Sequence, residues 1–184
     1  MRRAILISVL ALALPGAATD GTSTVEITYD VVAVTGKIFL EVEPEPERER
    51  TVTDVMAETM TNWGVKSVFG MVGHSNLGVA DALRIQEQQG RLSYYGIRHE
   101  GAAAFACSAY GKLTGRPAAC LSIAGPGATN LLTGLWDANV DRAPVLALTG
   151  QVETQVLGPG ALREVDLGAA FGKVAQWSQT VLHD

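Results

Sequence analysis

Residues 98–130 read RHEGAAAFACSAYGKLTGRPAACLSIAGPGATN, and this stretch decides the fold. An apolar run at 92–97 gives way to Glu100 and then to a small-residue segment, 101–113, with helical character. Gly115-Arg116-Pro117 breaks that helix, and a second apolar run, 118–124, ends in Gly125-Pro126-Gly127. Short apolar runs alternating with helices are the pattern of a parallel sheet covered on both faces. In such a sheet, ligands bind at the carboxyl ends of the strands. One carboxylate and one glycine turn therefore arrive at the same edge. Spacing alone does not make Glu100 catalytic, because an acid in the first turn of a helix also answers the helix dipole.

The alternation extends in both directions. Thr51 followed by Asp54 reads as a capping box, with Val55, Met56, Met60 and Trp63 at helical spacing and Gly64 as the stop. Residues 67–71 read as a strand, 77–88 as a helix stopped by Gly90, 128–140 as one helix, and 145–149 as a strand. Right-handed crossovers bring the turns at Gly73, Arg98, Gly125 and Gly150 to one edge. The expected fold class is α/β, an open parallel sheet with helices on both faces. The alanine-rich helix implies close approach of its backbone to a neighbour, since small side chains leave no other spacer.

The chain of 184 residues is 47% hydrophobic and 18% charged, enough for one domain with a real core. Its net charge of −5 and the absence of a basic stripe argue against nucleic acid as a partner. Cys107 and Cys120 lie in apolar segments and form no CxxC pair, so they read as reduced core thiols. His74, His99 and His183 lack metal-ligand spacing, and no metal site is expected in this chain. Residues 1–20 carry Arg2 and Arg3 before an apolar run, which is the plan of a signal peptide or of a segment from an upstream domain. Residues 21–43 read as a β-hairpin turning at Thr35-Gly36, and 44–50 as a charged linker. The linker is expected to be exposed. The main domain is expected over 51–184.

The turn at 125–130 is not a P-loop, and it lacks the third glycine of the dinucleotide fingerprint. With VFGMVG at 68–73, RHEGAAAFACSAYGKLTGRPA at 98–118, AGPGATNLLTGLWDANVDRAPVLALTGQV at 124–152 and EVD at 164–166, it resembles something else. These pieces are similar, in order and spacing, to the pyrimidine-binding domain of thiamine-diphosphate enzymes of the acetolactate synthase, pyruvate oxidase and benzoylformate decarboxylase group. The resemblance covers about seven tenths of the chain.

The resemblance implies that Glu100 contacts the aminopyrimidine ring and supports its proton transfers. It places Val72, Gly73, Gly125, Pro126, Gly127, Thr129 and Asn130 around the cofactor. It puts His74, Gln151, Leu162 and Arg163 at a substrate pocket, where Gln151 either approaches the pocket or only fixes its loop. Close relatives often carry Phe-Gln where this chain has Leu162-Arg163, and that change points to a larger or acidic substrate. The cofactor implied is thiamine diphosphate, with Mg2+ supplied by a diphosphate-binding domain or subunit, and FAD in some family members. No Gly-Asp-Gly motif of that second domain occurs here. The expected partners are that domain and a further copy, in a dimer or tetramer, with a cytoplasmic location unless the apolar N-terminus is an export signal or a membrane anchor. The chain then reads as a fragment of a longer polypeptide, or as a separate subunit, truncated at its C-terminus and inactive alone. The alternative is a non-catalytic binding or assembly module that keeps the fold.

Overall fold

The structure is a computed structural model that describes residues 49–181. The N-terminal apolar segment and the hairpin lie outside the described residues, as does most of the linker. Glu49 and Arg50 are exposed.

The first helix, α1 (Val52–Asn62), opens on Thr51. The Thr51 N–H donates to the Asp54 carboxylate at 2.8 Å, and the Asp54 N–H donates back to the Thr51 hydroxyl at 3.3 Å. Both bonds satisfy backbone donors that a helix start leaves free. Beyond the helix, Gly64 takes φ +94°, a conformation that costs glycine little. The chain continues through β1 (Ser67–Gly70), a short 3-10 turn (His74–Asn76), α2 (Leu77–Gln88), β2 (Ser93–Gly96) and α3 (Glu100–Thr114). There follow β3 (Ala118–Ser122), α4 (Pro126–Asn130), α5 (Leu132–Val140), β4 (Val145–Thr149), a second 3-10 turn (Thr154–Val156) and α6 (Leu167–Phe171).

The four strands form one sheet in the order β2-β1-β3-β4, and every pair is parallel. The expected fold class is therefore the observed one. Alternate residues of β3 face opposite sides, as the two-residue period of a strand requires. Ala118 and Cys120 enter a core with Ala103, Ala104 and Cys107 of α3, Leu135 of α5 and Phe171 of α6. Ala119 and Leu121 enter a second core with Ala57 and Met60 of α1 and Leu83 of α2. Cys107 and Cys120 are free and buried, and their mutual hydrogen bond together with burial raises the Cys107 pKa far above that of a free thiol.

Helix α3 lies very close to α5. A Cβ on Gly134 would stand 2.6 Å from Ala104 Cβ and 2.7 Å from the Phe105 nitrogen. The alanine run is thus a packing surface. Two details differ from the sequence reading. Residues 128–140 are not one helix: α4 begins earlier, at Pro126, and the helix is interrupted at Leu131, which keeps helical backbone angles and a buried side chain. Strand β2 is also not covered on both faces, because it is the sheet edge and most of its residues are exposed.

The strand order creates a switch point. The chain leaves central β1 for β2 on one side and returns to β3 on the other. A crevice opens where consecutive connections part in this way. Its walls are the turns that follow β1 and β3.

Candidate functional site

Asn76 spans this crevice. Its amide donates to the carbonyls of Met71 and Ser122, each at 3.0 Å, and its Oδ1 accepts the Gly73 N–H at 2.9 Å. The neighbouring Ser75 hydroxyl accepts the Ala124 N–H at 2.8 Å. Asn76 is buried, so these bonds are worth more than exposed ones, and losing them would strand polar atoms. The two residues tie the end of β1 to the end of β3. The sequence reading missed both, although a Ser-Asn pair after a glycine is an ordinary source of such local bonds.

The tie fixes Ile123. A Cβ on Gly73 would meet Ile123 Cγ2 at 2.4 Å, and one on Gly127 would meet Ile123 Cγ1 at 2.5 Å. Ile123 therefore fills the space between the two turns, and both flanking positions need glycine because of it. Gly73 itself has extended backbone, so close contact and not torsion excludes a side chain there.

Glu100 stands on the far side of Gly127. It is the first residue of α3, behind His99, whose Nδ1 accepts the Gly101 N–H at 3.1 Å and caps the helix. Glu100 is buried, and its Oε2 accepts from Asn130 Nδ2 at 3.1 Å. Among the described residues no donor reaches Oε1. That oxygen would lie 2.9 Å from a Cβ on Gly127. The carboxylate is thus clamped through one oxygen, with the other turned to the glycine turn. Beside it an open concavity of about 440 Å³ is lined by His99, Gly101, Phe105, Thr129 and Asn130.

The other predicted residues are distributed around this point. Gly125 is the N-cap of α4 at φ +69°, and Pro126 is its first residue, where a missing N–H costs nothing. The Thr129 hydroxyl donates to the Pro126 carbonyl at 3.1 Å. Val72 and His74 are exposed on the β1 turn. The Gln151 side chain is engaged with its own loop: Nε2 donates to the Val165 carbonyl at 3.0 Å, and Oε1 accepts the Val152 N–H at 2.9 Å. Leu162 and Arg163 are exposed, and the main chain of Arg163 lies on Gly125. Among the described residues no cluster of three or more His, Cys, Asp or Glu converges as a metal site would require, and no helix is long and apolar enough to cross a membrane.

Residues 50–170 match the family described as thiamine pyrophosphate enzyme, N-terminal TPP binding domain. The chain belongs to that family. An acetolactate synthase of Arthrospira platensis is 44% identical over 112 residues, covering 61% of this chain and 19% of that protein. The putative thiamine pyrophosphate-containing protein YdaP of Bacillus subtilis (strain 168) is 42% identical over 132 residues, covering 72% of this chain and 23% of that protein. The acetolactate synthase isozyme 2 large subunit of Escherichia coli (strain K12) is 44% identical over 104 residues, covering 56% and 18%. The chain thus spans about a fifth of the length of these relatives. The resemblance read from the motifs is borne out, and with it the assignment of a thiamine-diphosphate-binding domain like that of acetolactate synthases.

The site fits the aminopyrimidine end of that cofactor. A ring nitrogen needs a carboxyl oxygen that no protein donor holds, and Glu100 Oε1 meets that need.

Proposed function

We propose that this chain forms the aminopyrimidine-binding half of an enzyme that decarboxylates 2-oxo acids, in the manner of an acetolactate synthase. The observation that carries the reading is Glu100: a buried carboxylate with one oxygen held by Asn130 and the other, at the glycine turn, without a donor among the described residues. When bound, thiamine diphosphate supplies a stabilised carbanion, and the protein supplies orientation and proton handling. Glu100 exchanges a proton at Oε1 with the ring nitrogen. Asn130 fixes the carboxyl plane so that Oε1 cannot rotate away. Gly127 lies against Oε1, and the carboxyl group as a whole is buried. Diphosphate and Mg2+ are held by a second domain or subunit.

The Arg163 main chain lies on Gly125, and a guanidinium on this exposed residue favours a substrate with a second anionic group. Exposed Phe105 and Leu113 of α3, with Trp136 and Val140 of α5, leave an apolar helix face that suits pairing with a second copy.

The test is Glu100→Gln in the chain assembled with its diphosphate-binding partner. Glutamine keeps the shape and the Asn130 contact but cannot share a proton. Exchange of the cofactor C2 proton should fall by about 10²–10⁴-fold. A role limited to the helix dipole is worth about 0.3–1 kcal/mol of stability and would leave exchange unchanged. Unchanged exchange would remove Glu100 from the chemistry.

A further inference from the structure

The segment after β4 carries a carboxylate that the site described above does not use. Glu164 Oε1 accepts the Gly158 N–H at 2.5 Å, while Oε2 accepts the N–H groups of Gly160 at 2.7 Å and Ala161 at 2.8 Å. Its own N–H donates to the Ala161 carbonyl at 2.9 Å. One side chain thus closes a seven-residue loop on itself from the inside. The loop is otherwise costly to hold. Gly158, Gly160 and Arg163 all have positive φ, of 112°, 85° and 69°, and an arginine in that region stores strain that its surroundings must offset. Charge-assisted bonds from backbone N–H groups are the strong kind.

The loop is not free-standing. A Cβ on Gly125 would meet the Arg163 carbonyl oxygen at 2.6 Å, its Cβ at 2.8 Å and its Cα at 2.9 Å. Main chain lies on main chain at the residue that caps α4. Two residues further on, Gly127 abuts Glu100 Oε1. A continuous line of contact therefore runs from the Glu164 carboxylate through Arg163 and Gly125 to the wall of the cofactor site. Gln151 holds the chain just after the loop, through the Val165 carbonyl.

We propose that Glu164 is a positioning residue: its carboxylate folds residues 158–164 into a clasp that seats Arg163 on Gly125 and thereby fixes the glycine turn beside Glu100. The consequence for catalysis rests on the function proposed above, but the clasp stands on its own geometry. The N–H groups of Ala161 and Gly158 hold the Glu164 carboxyl below the usual carboxylate range, against a smaller opposing effect of burial. The sign follows. A depressed folded-state pKa means that the clasp is at full strength above the ordinary carboxylate value and loosens as pH falls through the depressed one. Other charges are few. Arg163 and Asp166 share the segment, Asp166 is bound to the Ala169 N–H, Glu153 stands on the preceding turn, and residues 125–127 carry no charge.

The experiment is a pH titration of the full chain by amide NMR, in the wild-type and Glu100→Gln backgrounds. The second background removes Glu100 as a source of shifts at Gly127. The amides of Gly158, Gly160 and Ala161 should titrate together, with a midpoint below the ordinary carboxylate value. Gly125 and Gly127 should follow with the same midpoint in both backgrounds. Glu164→Gln should abolish the shared midpoint, and Glu164→Ala should lower amide protection at Gly158, Gly160 and Ala161 by about tenfold or more. A clasp that only stabilises its own loop would leave Gly125 and Gly127 still, and that result overturns the proposal. So does a shared midpoint that persists in Glu164→Gln. If the alanine variant does not fold, the wild-type titration decides alone. Failure of Glu100 in the exchange test leaves this titration unaffected, so the two readings fail separately.

Discussion

At the carboxyl ends of the strands, Gly73, Gly125, Gly127 and Gly150 each stand where an added Cβ would meet another atom within 3 Å. At the amino ends, Val65, Pro117 and Pro144 lead into β1, β3 and β4 and border a cavity of about 530 Å³. That cavity is also bordered by Thr59 and Met60 of α1, by Trp63 just after it, by Val145 and Leu146, and by Trp177, with no charged group among them. The same sheet is thus finished in two ways. One edge is held by named hydrogen bonds and by contacts that tolerate no added atom. The other is covered by apolar side chains, two of which, Trp63 and Trp177, are mostly exposed, and its close contact is the one Gly111 makes with Pro144, where an added Cβ would stand 2.9 Å from the proline ring. Close fit marks the edge where atoms must be placed, and apolar cover marks the edge where apolar area only needs a neighbour.

The largest effect expected from this contrast is at Gly125. Its φ of +69° and ψ of −125° suit glycine alone, and the Arg163 main chain occupies the space of a Cβ. Gly125→Ala combines backbone strain with overpacking, each about 1–3 kcal/mol, so a loss of roughly 2–6 kcal/mol is expected. Urea unfolding of the full chain measures it. A loss below about 0.5 kcal/mol would mean that residues 158–164 yield without cost and that the carboxyl edge is no tighter than the amino edge.

Next comes Asn76. Asn76→Ala leaves the Gly73 N–H and the carbonyls of Met71 and Ser122 without their side-chain partner. Ser122 keeps a second bond, from the Gly150 N–H at 2.9 Å, so its carbonyl is not orphaned. About 1–3 kcal/mol is expected. A further sign distinguishes a tie between strands from a local turn: amide exchange should quicken at Gly150 and Ala124, just past β4 and β3, as well as at Gly73. Exchange confined to residues 71–76 would show that the turns after β1 and β3 are held independently.

How much of this was legible in the sequence depends on the range of the forces. The start of α1 and the stops at Gly64, Gly90 and Gly115 were readable, because caps and positive-φ glycines act within a few residues. The parallel sheet was readable from the alternation of apolar runs and helices. Glu100, Asn130 and the glycine turn were found through the family motifs. The bond between Glu100 and Asn130 was not, since it joins two helices 30 residues apart. Asn76 and Ser75 escaped for the same reason: their partners at and just past the end of β3 lie 46 and 49 residues away. The interruption at Leu131 comes at a residue buried in the core, and burial is a tertiary fact that helical spacing does not encode. The exposure of β2 follows from strand order, which periodicity does not encode.

The smallest effect belongs to the amino edge. Trp63 is 82% exposed and follows the last residue of α1, where its N–H donates to the Thr59 carbonyl at 2.9 Å. That backbone bond survives any substitution except proline. Most of the indole surface meets solvent, so little apolar area returns to water when it is removed. Trp63→Ser should therefore shift stability by no more than about 0.5 kcal/mol, despite deleting the largest side chain type. Urea unfolding of the full chain checks this, with Trp136 and Trp177 still present as fluorescence probes. A loss above about 2 kcal/mol would show that the indole is buried in solution and that the cavity beside it is filled. The contrast with Gly125 would then collapse, since both edges would be held by close contact and only their chemistry would differ.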